Sequence, residues 1–304
     1  MPVFFALLID LTLGDPPNRF HPTAWMGSLI AFLCRFRPRG CVWAELLYGG
    51  LLMLVGLTVT AGTGLALAWL FAQLPQSVDW LLNALILKTT FSLRGLDRAA
   101  GEVQAALEQG DLSEARRLLS WHLVSRDTSQ LTAGQVVAAA VESVAENASD
   151  SLIAPLFFYA LGGLPLALAY RFANTADAML GYRDPEREWF GKIPACLDDV
   201  LNFIPARLTG LLLVGGAALS GGSAGKAWEI MLRDSRLTAS PNAGVPMSAM
   251  AGAISIELEK VGHYHLGAGL NAPQTTDLRR ARRIYVFTAT LAALLFAILT
   301  FLIS

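Results

Sequence analysis

On a helix, Glu142, Glu146 and Asp150 fall at i, i+4 and i+8, so three carboxylates share one face with Asn147 beside them. Like charges at that spacing repel, and a cation is needed to offset them: a divalent metal held by oxygen ligands, as Mg²⁺ is, or the arginines of a neighbouring segment. A solvated helix face is the plainer explanation for a pair of acids, but these stand at the mouth of an apolar segment, which favours function. Next comes YRFANTADAMLGYRD, Tyr170 to Asp184, with Asn174 and Asp177 three apart and Tyr182 and Arg183 after Gly181. A short helix capped by Asn174-Thr175 and stopped by Gly181 explains those residues and leaves Asp177 without a role. In ACLDDVLNFIPARL, Ala195 to Leu208, Asp198 and Asp199 stand one turn before Asn202, with Arg207 beyond. Two acids and an amide so spaced can converge on one metal ion or one set of phosphates, as in intramembrane prenyltransferases, while a helix N-cap by Asp198 competes evenly.

Near the start, Asp10 and then LGDPPNRFHP supply Asp15 and His21 between rigid X-Pro steps. The chain has 4 His, two of them in the trio HYH at 263–265, so no zinc-type cluster emerges. SPNAG at 240–244, with Ser240, Asn242 and Gly244, reads either as a tight turn or as a backbone cradle for phosphate.

These residues must be positioned by elements of an unusual composition. Of 304 residues, 54% are hydrophobic and 15% charged, against about a quarter charged in soluble domains, and the mean hydropathy is +0.48. The expected fold is all-α: a polytopic integral membrane protein with four or five crossings, residues 1–304 forming one membrane-embedded domain. Residues 46–72 and 284–303 carry no charge and are long enough to span a bilayer core of about 30 Å. The uncharged run 152–170 contains Gly162, Gly163 and Pro165, and reads as one kinked span or as a re-entrant helical hairpin. Residues 94–150 read as an amphipathic helical insert with capping signals at Asp111 and Thr132. Residues 223–283 read as a polar, turn-rich segment ending in Arg279, Arg280, Arg282 and Arg283, which places the start of the last span in the cytoplasm. Arg35, Arg37 and Arg39 and the basic group Arg171 to Lys192 cannot all be cytoplasmic if every apolar run crosses once. A hairpin at Gly162-Gly163 resolves part of that conflict.

The run Val3 to Ile9 lacks a basic flank and a cleavage site, so it does not read as a signal peptide. Cys34, Cys41 and Cys196 show no paired spacing, which fits a reducing face. A net charge of −1 argues against nucleic-acid binding.

LGDPPNRFHPTAWMG, SRDTSQL, VESVAENASDSLIAPLF, YRFANTADAMLGYRD, LDDVLNFIPARL and SPNAGVPMSAMAGA occur here in the order of the CobD/CbiB family, which this chain resembles over about 6–267. The resemblance implies an adenosylcobinamide-phosphate synthase of cobalamin biosynthesis in the cell inner (cytoplasmic) membrane, its active site facing the cytoplasm. Such an enzyme joins aminopropanol, or its phosphate, to the free propionate of adenosylcobyric acid as an amide, with ATP and Mg²⁺ as co-substrates and the corrinoid as substrate rather than prosthetic group. Other late cobalamin-pathway membrane enzymes are expected partners beside the lipid bilayer. On this reading Glu146, Asp150, Asp198 and Asp199 are candidate Mg²⁺ groups. Asn147, Asn174 and Asp177 complete the catalytic set, with Asp15 or His21 as a base. Arg126, Asp127, Tyr182, Arg183, Asn202, Arg207, Ser240, Asn242 and Gly244 are candidate substrate contacts, and Trp25, Trp121 and Trp189 join Tyr182 as a corrin surface or a membrane-interface belt.

The chain departs from the family pattern at Ser125, at Ala178, at Leu258-Glu259-Lys260 and at Cys196, where an Arg commonly stands. Two other readings share some features: a non-catalytic membrane sensor like the AmpE relatives, which lack the acid-rich motifs, and an intramembrane Mg²⁺-dependent prenyl- or alcohol-phosphotransferase, which carries acids within its spans.

Overall fold

The computed structural model describes residues 1–182 and 184–303. Thirteen α-helices follow one another among them: α1 (Pro2–Leu13), α2 (Pro22–Cys34), α3 (Val42–Phe71), α4 (Gln76–Lys88), α5 (Leu93–Glu108), α6 (Leu112–His122), α7 (Ala133–Ala148), α8 (Ala154–Leu180), α9 (Lys192–Leu201), α10 (Phe203–Ser220), α11 (Ala224–Asp234), α12 (Gly244–Ile254) and α13 (Thr275–Ile303). A π-helical turn occupies Ser149–Ile153, and β1 (Leu258–Lys260) pairs antiparallel with β2 (Tyr264–Leu266). Four runs are long and apolar enough to cross a membrane: α3, Ala133–Leu180, α10 and α13, in line with the expected all-α membrane protein.

By its contacts the chain divides into two compact units, neither contiguous in sequence. The first comprises Met1–Ser92, Ala154–Asn202 and Phe296–Ser304; the second comprises Leu93–Ile153 and Phe203–Leu295.

In the first unit α3 lies antiparallel to the second half of α8. Gly56 faces the Phe172 ring, and Gly64 faces the backbone of Leu164 and Pro165. Between helices surrounded by lipid, association comes from close packing of small residues, and a Cβ at Gly56 would overlap the ring. α8 itself is broken. Gly163 takes φ +66, Gly162 is also non-helical, and Pro165 brings no N–H to a helical ladder. The Phe158 ring stacks on Tyr170 with centroids 4.9 Å apart, whereas twelve residues of straight helix would separate them by about 18 Å. Of the two expected readings of 152–170, the helical hairpin is the one that forms.

The hairpin's turn lies beside the C-terminal end of α3, and α4 leads back from there. At the opposite end of this unit Thr23 Oγ1 donates to Thr89 O, Gly27 faces the Met179 sulfur, and Arg37 lies both 3.4 Å from Glu186 and over the Phe190 ring. Loops 35–41, 88–92 and 181–191 therefore share one end. Two basic loops that seemed to need opposite sides are neighbours.

In the second unit α5 and α6 form a hairpin through Gly110, with Asp111 accepting from the Glu114 N–H at the start of α6. Thr132 and Gln135 form a reciprocal capping box on α7. Every residue from Val136 to Ala145 is buried, including Glu142 and Ser143. Within 223–283, expected to be turn-rich, α11 and α12 form instead, and all eleven residues of α12 are buried. Gly, Ala, Ser and Pro in GVPMSAMAGAI read as turn formers on paper. In a helix enclosed on every side they allow neighbours to approach closely.

Candidate functional site

His21 and Asp15 meet in the first unit, and a residue absent from the sequence reading joins them. His21 is the N-cap of α2, its Nδ1 accepting from the Thr23 N–H at 3.2 Å, and its Nε2 lies 3.7 Å from Asp15. Lys88 Nζ donates to Asp15 Oδ1 at 2.5 Å, lies 2.9 Å from the fully buried Asp10, and donates to Phe91 O. Ser92 Oγ donates to Asp15 Oδ2 at 2.6 Å. Burial of Asp15 favours its neutral form, but His21, Lys88 and Ser92 together outweigh burial and hold the carboxyl well below its usual range. A carboxylate so stabilised is a poor base, and a His21 Nδ1 engaged in capping has no lone pair to spare. Their arrangement fits positioning better than proton abstraction.

The second cluster of this unit joins α8 to α9. Asn174 Nδ2 donates to Asp198 Oδ1 at 3.3 Å and Asn202 Nδ2 to Asp198 Oδ2 at 2.9 Å. Tyr170 Oη donates to Asn202 Oδ1 at 2.9 Å, and Arg171 Nη1 to Asn174 Oδ1 at 3.3 Å, so each amide is oriented from behind. Both capping expectations are corrected here. Asn174 lies well inside α8 and Asp198 in the seventh position of α9, because each helix extends further toward its N-terminus than the local signals implied. Burial raises the Asp198 carboxyl and the adjacent Asp199 charge adds to the rise, against the two amide donors and Arg171. Asp177 O accepts from the Gly181 N–H, and Tyr182 packs under the Arg187 guanidinium. Arg183 lies outside the described residues.

The second unit holds the remaining candidates. Asn147 bridges one turn each way, its Nδ2 donating to Ser143 O and Oγ while its Oδ1 accepts from Ser151 Oγ. Asp150 falls in the π-helical turn, so the regular α spacing from Glu142 ends before it. Glu142, 5% exposed, lies 3.7 Å from Arg126 Nη2, with Glu146, Tyr264 and Lys260 in its electrostatic surroundings. Asp127 turns back on Ser129 N and Oγ. Arg207 stacks on Phe203 and donates to Asn242 Oδ1 at 2.6 Å and to Pro241 O at 3.1 Å. It thus ties the Ser240–Gly244 turn, which leads into α12, back onto α10. Ser240 Oγ accepts from the Asn242 N–H within that turn.

The four metal candidates fall in different units, Glu146 and Asp150 in the second and Asp198 and Asp199 in the first. Among the described residues no group of three or more His, Cys, Asp or Glu side chains is placed to hold a metal ion. Lys88 escaped the sequence reading because its partners lie more than 70 residues away and nothing local marks it.

Four runs of spanning length in a chain of helices with a single two-stranded sheet among the described residues define a polytopic membrane protein of all-α class. The chain belongs to the CobD/CbiB family: residues 3–291 match the family model described as CobD/Cbib protein. It is 42% identical to the cobalamin biosynthesis protein CobD of Dehalococcoides mccartyi (strain CBDB1) over 282 residues, 89% of this chain and 88% of that protein. It is 40% identical to the protein of the same name in Geobacter metallireducens, covering 99% and 97%, and 38% identical to the cobalamin biosynthesis protein CbiB of Salmonella typhi, covering 96% and 94%. No solved structure matches the chain.

Proposed function

We propose that the chain acts in cobalamin biosynthesis as an amide-forming enzyme of the inner membrane. On this reading it attaches aminopropanol, or its phosphate, to the free propionate carboxylate of adenosylcobyric acid, with ATP as energy source and an active site on the cytoplasmic face. The relatives' names support the pathway. The observation that carries the chemistry is Asp198: a buried carboxylate whose direct hydrogen-bond donors are the two amides of Asn174 and Asn202 rather than a cation.

Activating a carboxylate with ATP loads negative charge onto phosphates, and Mg²⁺ supplies the compensating charge when bound. Mg²⁺ is commonly held by one or two carboxylates plus substrate phosphates, so Asp198 and Asp199 fit an ion that arrives with the nucleotide. Asn174 and Asn202 fix the rotamer of Asp198, and Tyr170 and Arg171 fix the amides. Lys88 holds Asp15, and through it the His21 that starts α2, in place.

The test is incubation of the purified chain in membranes with adenosylcobyric acid, aminopropanol phosphate and Mg-ATP, with the amide read by mass spectrometry. Product is expected, and its loss is expected in Asp198→Asn and Asp199→Asn. No product from the folded chain across a range of Mg-ATP and amine concentrations would overturn the reading.

A further inference from the structure

At the end of the first unit where the α8 hairpin turns, a cavity of about 560 Å³ is lined by Asp79, Trp80 and Asn83 of α4, Tyr159 and Gly163 of α8 and Phe301 of α13, among others. That lies within the range of roughly 300–1,000 Å³ typical of small-ligand sites. Asp79 is the one charged side chain among the described residues that line it; no Lys, Arg or His does.

Asn83 Nδ2 donates to Asp79 Oδ1 at 2.8 Å, while Asp79 Oδ2 accepts from no described residue. The Met1 amino group also borders the space and makes no ion pair with Asp79. Across the cavity Tyr159 is only 9% exposed, and its hydroxyl has no hydrogen-bond partner among the described residues, although Asp79 is near enough to act on it electrostatically. Tyrosine hydroxyls so enclosed usually find a partner, and an acid at the end of apolar helices without a counter-charge marks a site. A half-satisfied carboxylate and an unpartnered hydroxyl on one cavity call for a cation that donates hydrogen bonds.

The rim is apolar. Leu161 and Phe301 are 62% and 64% exposed, and Val78 and Leu81, exposed too, flank Asp79 and Trp80 on α4. The hairpin's head and the last turn of α13 meet here, so the cavity opens toward acyl chains where spanning helices end. A carboxylate without a cation repels anionic phospholipids. A trimethylated head brings no N–H to Asp79 or Tyr159.

We propose that this cavity binds the primary ammonium head of an ethanolamine phospholipid, its N–H donors directed at Asp79 Oδ2 and the Tyr159 hydroxyl and its acyl chains over Leu161 and Phe301. The lipid belongs to the leaflet opposite loops 35–41 and 181–191, and the site is independent of the amide-forming reading.

Native mass spectrometry of the full chain, delipidated in detergent and titrated with ethanolamine, choline and glycerol phospholipids of one chain length, tests it. The ethanolamine lipid is expected to bind at least about tenfold more tightly than the other two. Asp79→Asn should remove about that preference and Tyr159→Phe should cut it by about threefold, while Asp79→Glu should keep part of it. Equal binding of ethanolamine and choline lipids, displacement of the lipid by soluble phosphoethanolamine, or an Asp79→Asn chain of unchanged thermal stability and undiminished preference would each overturn the proposal. If Asp79→Asn does not fold, Tyr159→Phe and the unsubstituted chain's choice among the three lipids decide it.

Discussion

Asn202 Nδ2 donates to Asp198 Oδ2 at 2.9 Å from one turn further along the chain, and its Oδ1 is held by the Tyr170 hydroxyl. Tyr170 also carries the Phe158 ring, so a single side chain links the hairpin of α8 to the Asp198 cluster. Tyr170→Phe keeps the ring stack and leaves the buried Asn202 Oδ1 without its donor. A loss of about 1–3 kcal/mol of stability is expected, read by thermal unfolding in detergent, together with reduced amide formation. An unchanged variant in both readouts would show that the hydroxyl does not orient Asn202.

Asp198 and Asp15 should bend the pH–stability curve in opposite directions. Burial raises the Asp198 carboxyl in the folded chain, so its contribution is fully present below the ordinary value of 3.8 and is lost as pH rises through the higher folded value. Asp15 is lowered by His21, Lys88 and Ser92 against its burial, so its contribution is present above 3.8 and lost as pH falls. A Tm series should show Asp198→Asn flattening the decline above pH 3.8. In Asp15→Asn the deficit should be full above that value and shrink as the solution is acidified. The reverse pattern in either variant would contradict its assignment.

Lys88→Met removes the ammonium that lies 2.9 Å from a fully buried Asp10. Removing one partner of a buried pair typically costs about 3–5 kcal/mol, and denaturant unfolding should show a loss of that order. Adding Asp10→Asn to Lys88→Met should recover part of it, since the stranded charge goes too.

Gly56 and Gly62 provide a matched pair on one helix. A methyl group at Gly56 would meet the Phe172 ring, whereas one at Gly62 meets nothing within 4 Å. Gly56→Ala should destabilise by about 1–3 kcal/mol, and Gly62→Ala should leave stability unchanged or raise it by up to about 1 kcal/mol. Comparable losses in the two would show that α3 and α8 are less closely packed than described.

Cys41 and Cys196 are both exposed, before α3 and on α9. Gly49 and Gly50, near the start of α3, face Phe190 and Ile193 where α9 begins, so an impermeant thiol reagent should modify both cysteines from the same side of the membrane, and a Gln73→Cys probe just past the far end of α3 from the other. Labelling of Cys41 and Cys196 from opposite sides would refute the hairpin arrangement.

Much of this architecture could be read from the chain. Charge-free runs mark the spans, and the Thr132–Gln135 capping box forms as its residues imply. What stayed hidden has a common cause: it depends on partners distant in sequence. Asn174 and Asp198 look like caps until their helices are seen to run past them. Lys88 looks like an ordinary last-turn cation until Asp10 and Asp15 are found against it. α12 looks like a string of turns until burial on all faces gives small residues another use. Glu142 is half visible, since its spacing from Glu146 is plain, but its enclosure within α7 is not.

The glycine pair at the head of the α8 hairpin also bears on how the protein is made. Orientation in a membrane is settled by counting crossings as the chain is threaded, and a hairpin adds none to that count. Read by hydropathy alone, 152–170 is one crossing; folded, it returns the chain to the side it came from. The membrane side to which everything afterwards is delivered, including the basic cluster Arg279 to Arg283, is therefore switched or kept by two adjacent residues that have no side chains at all.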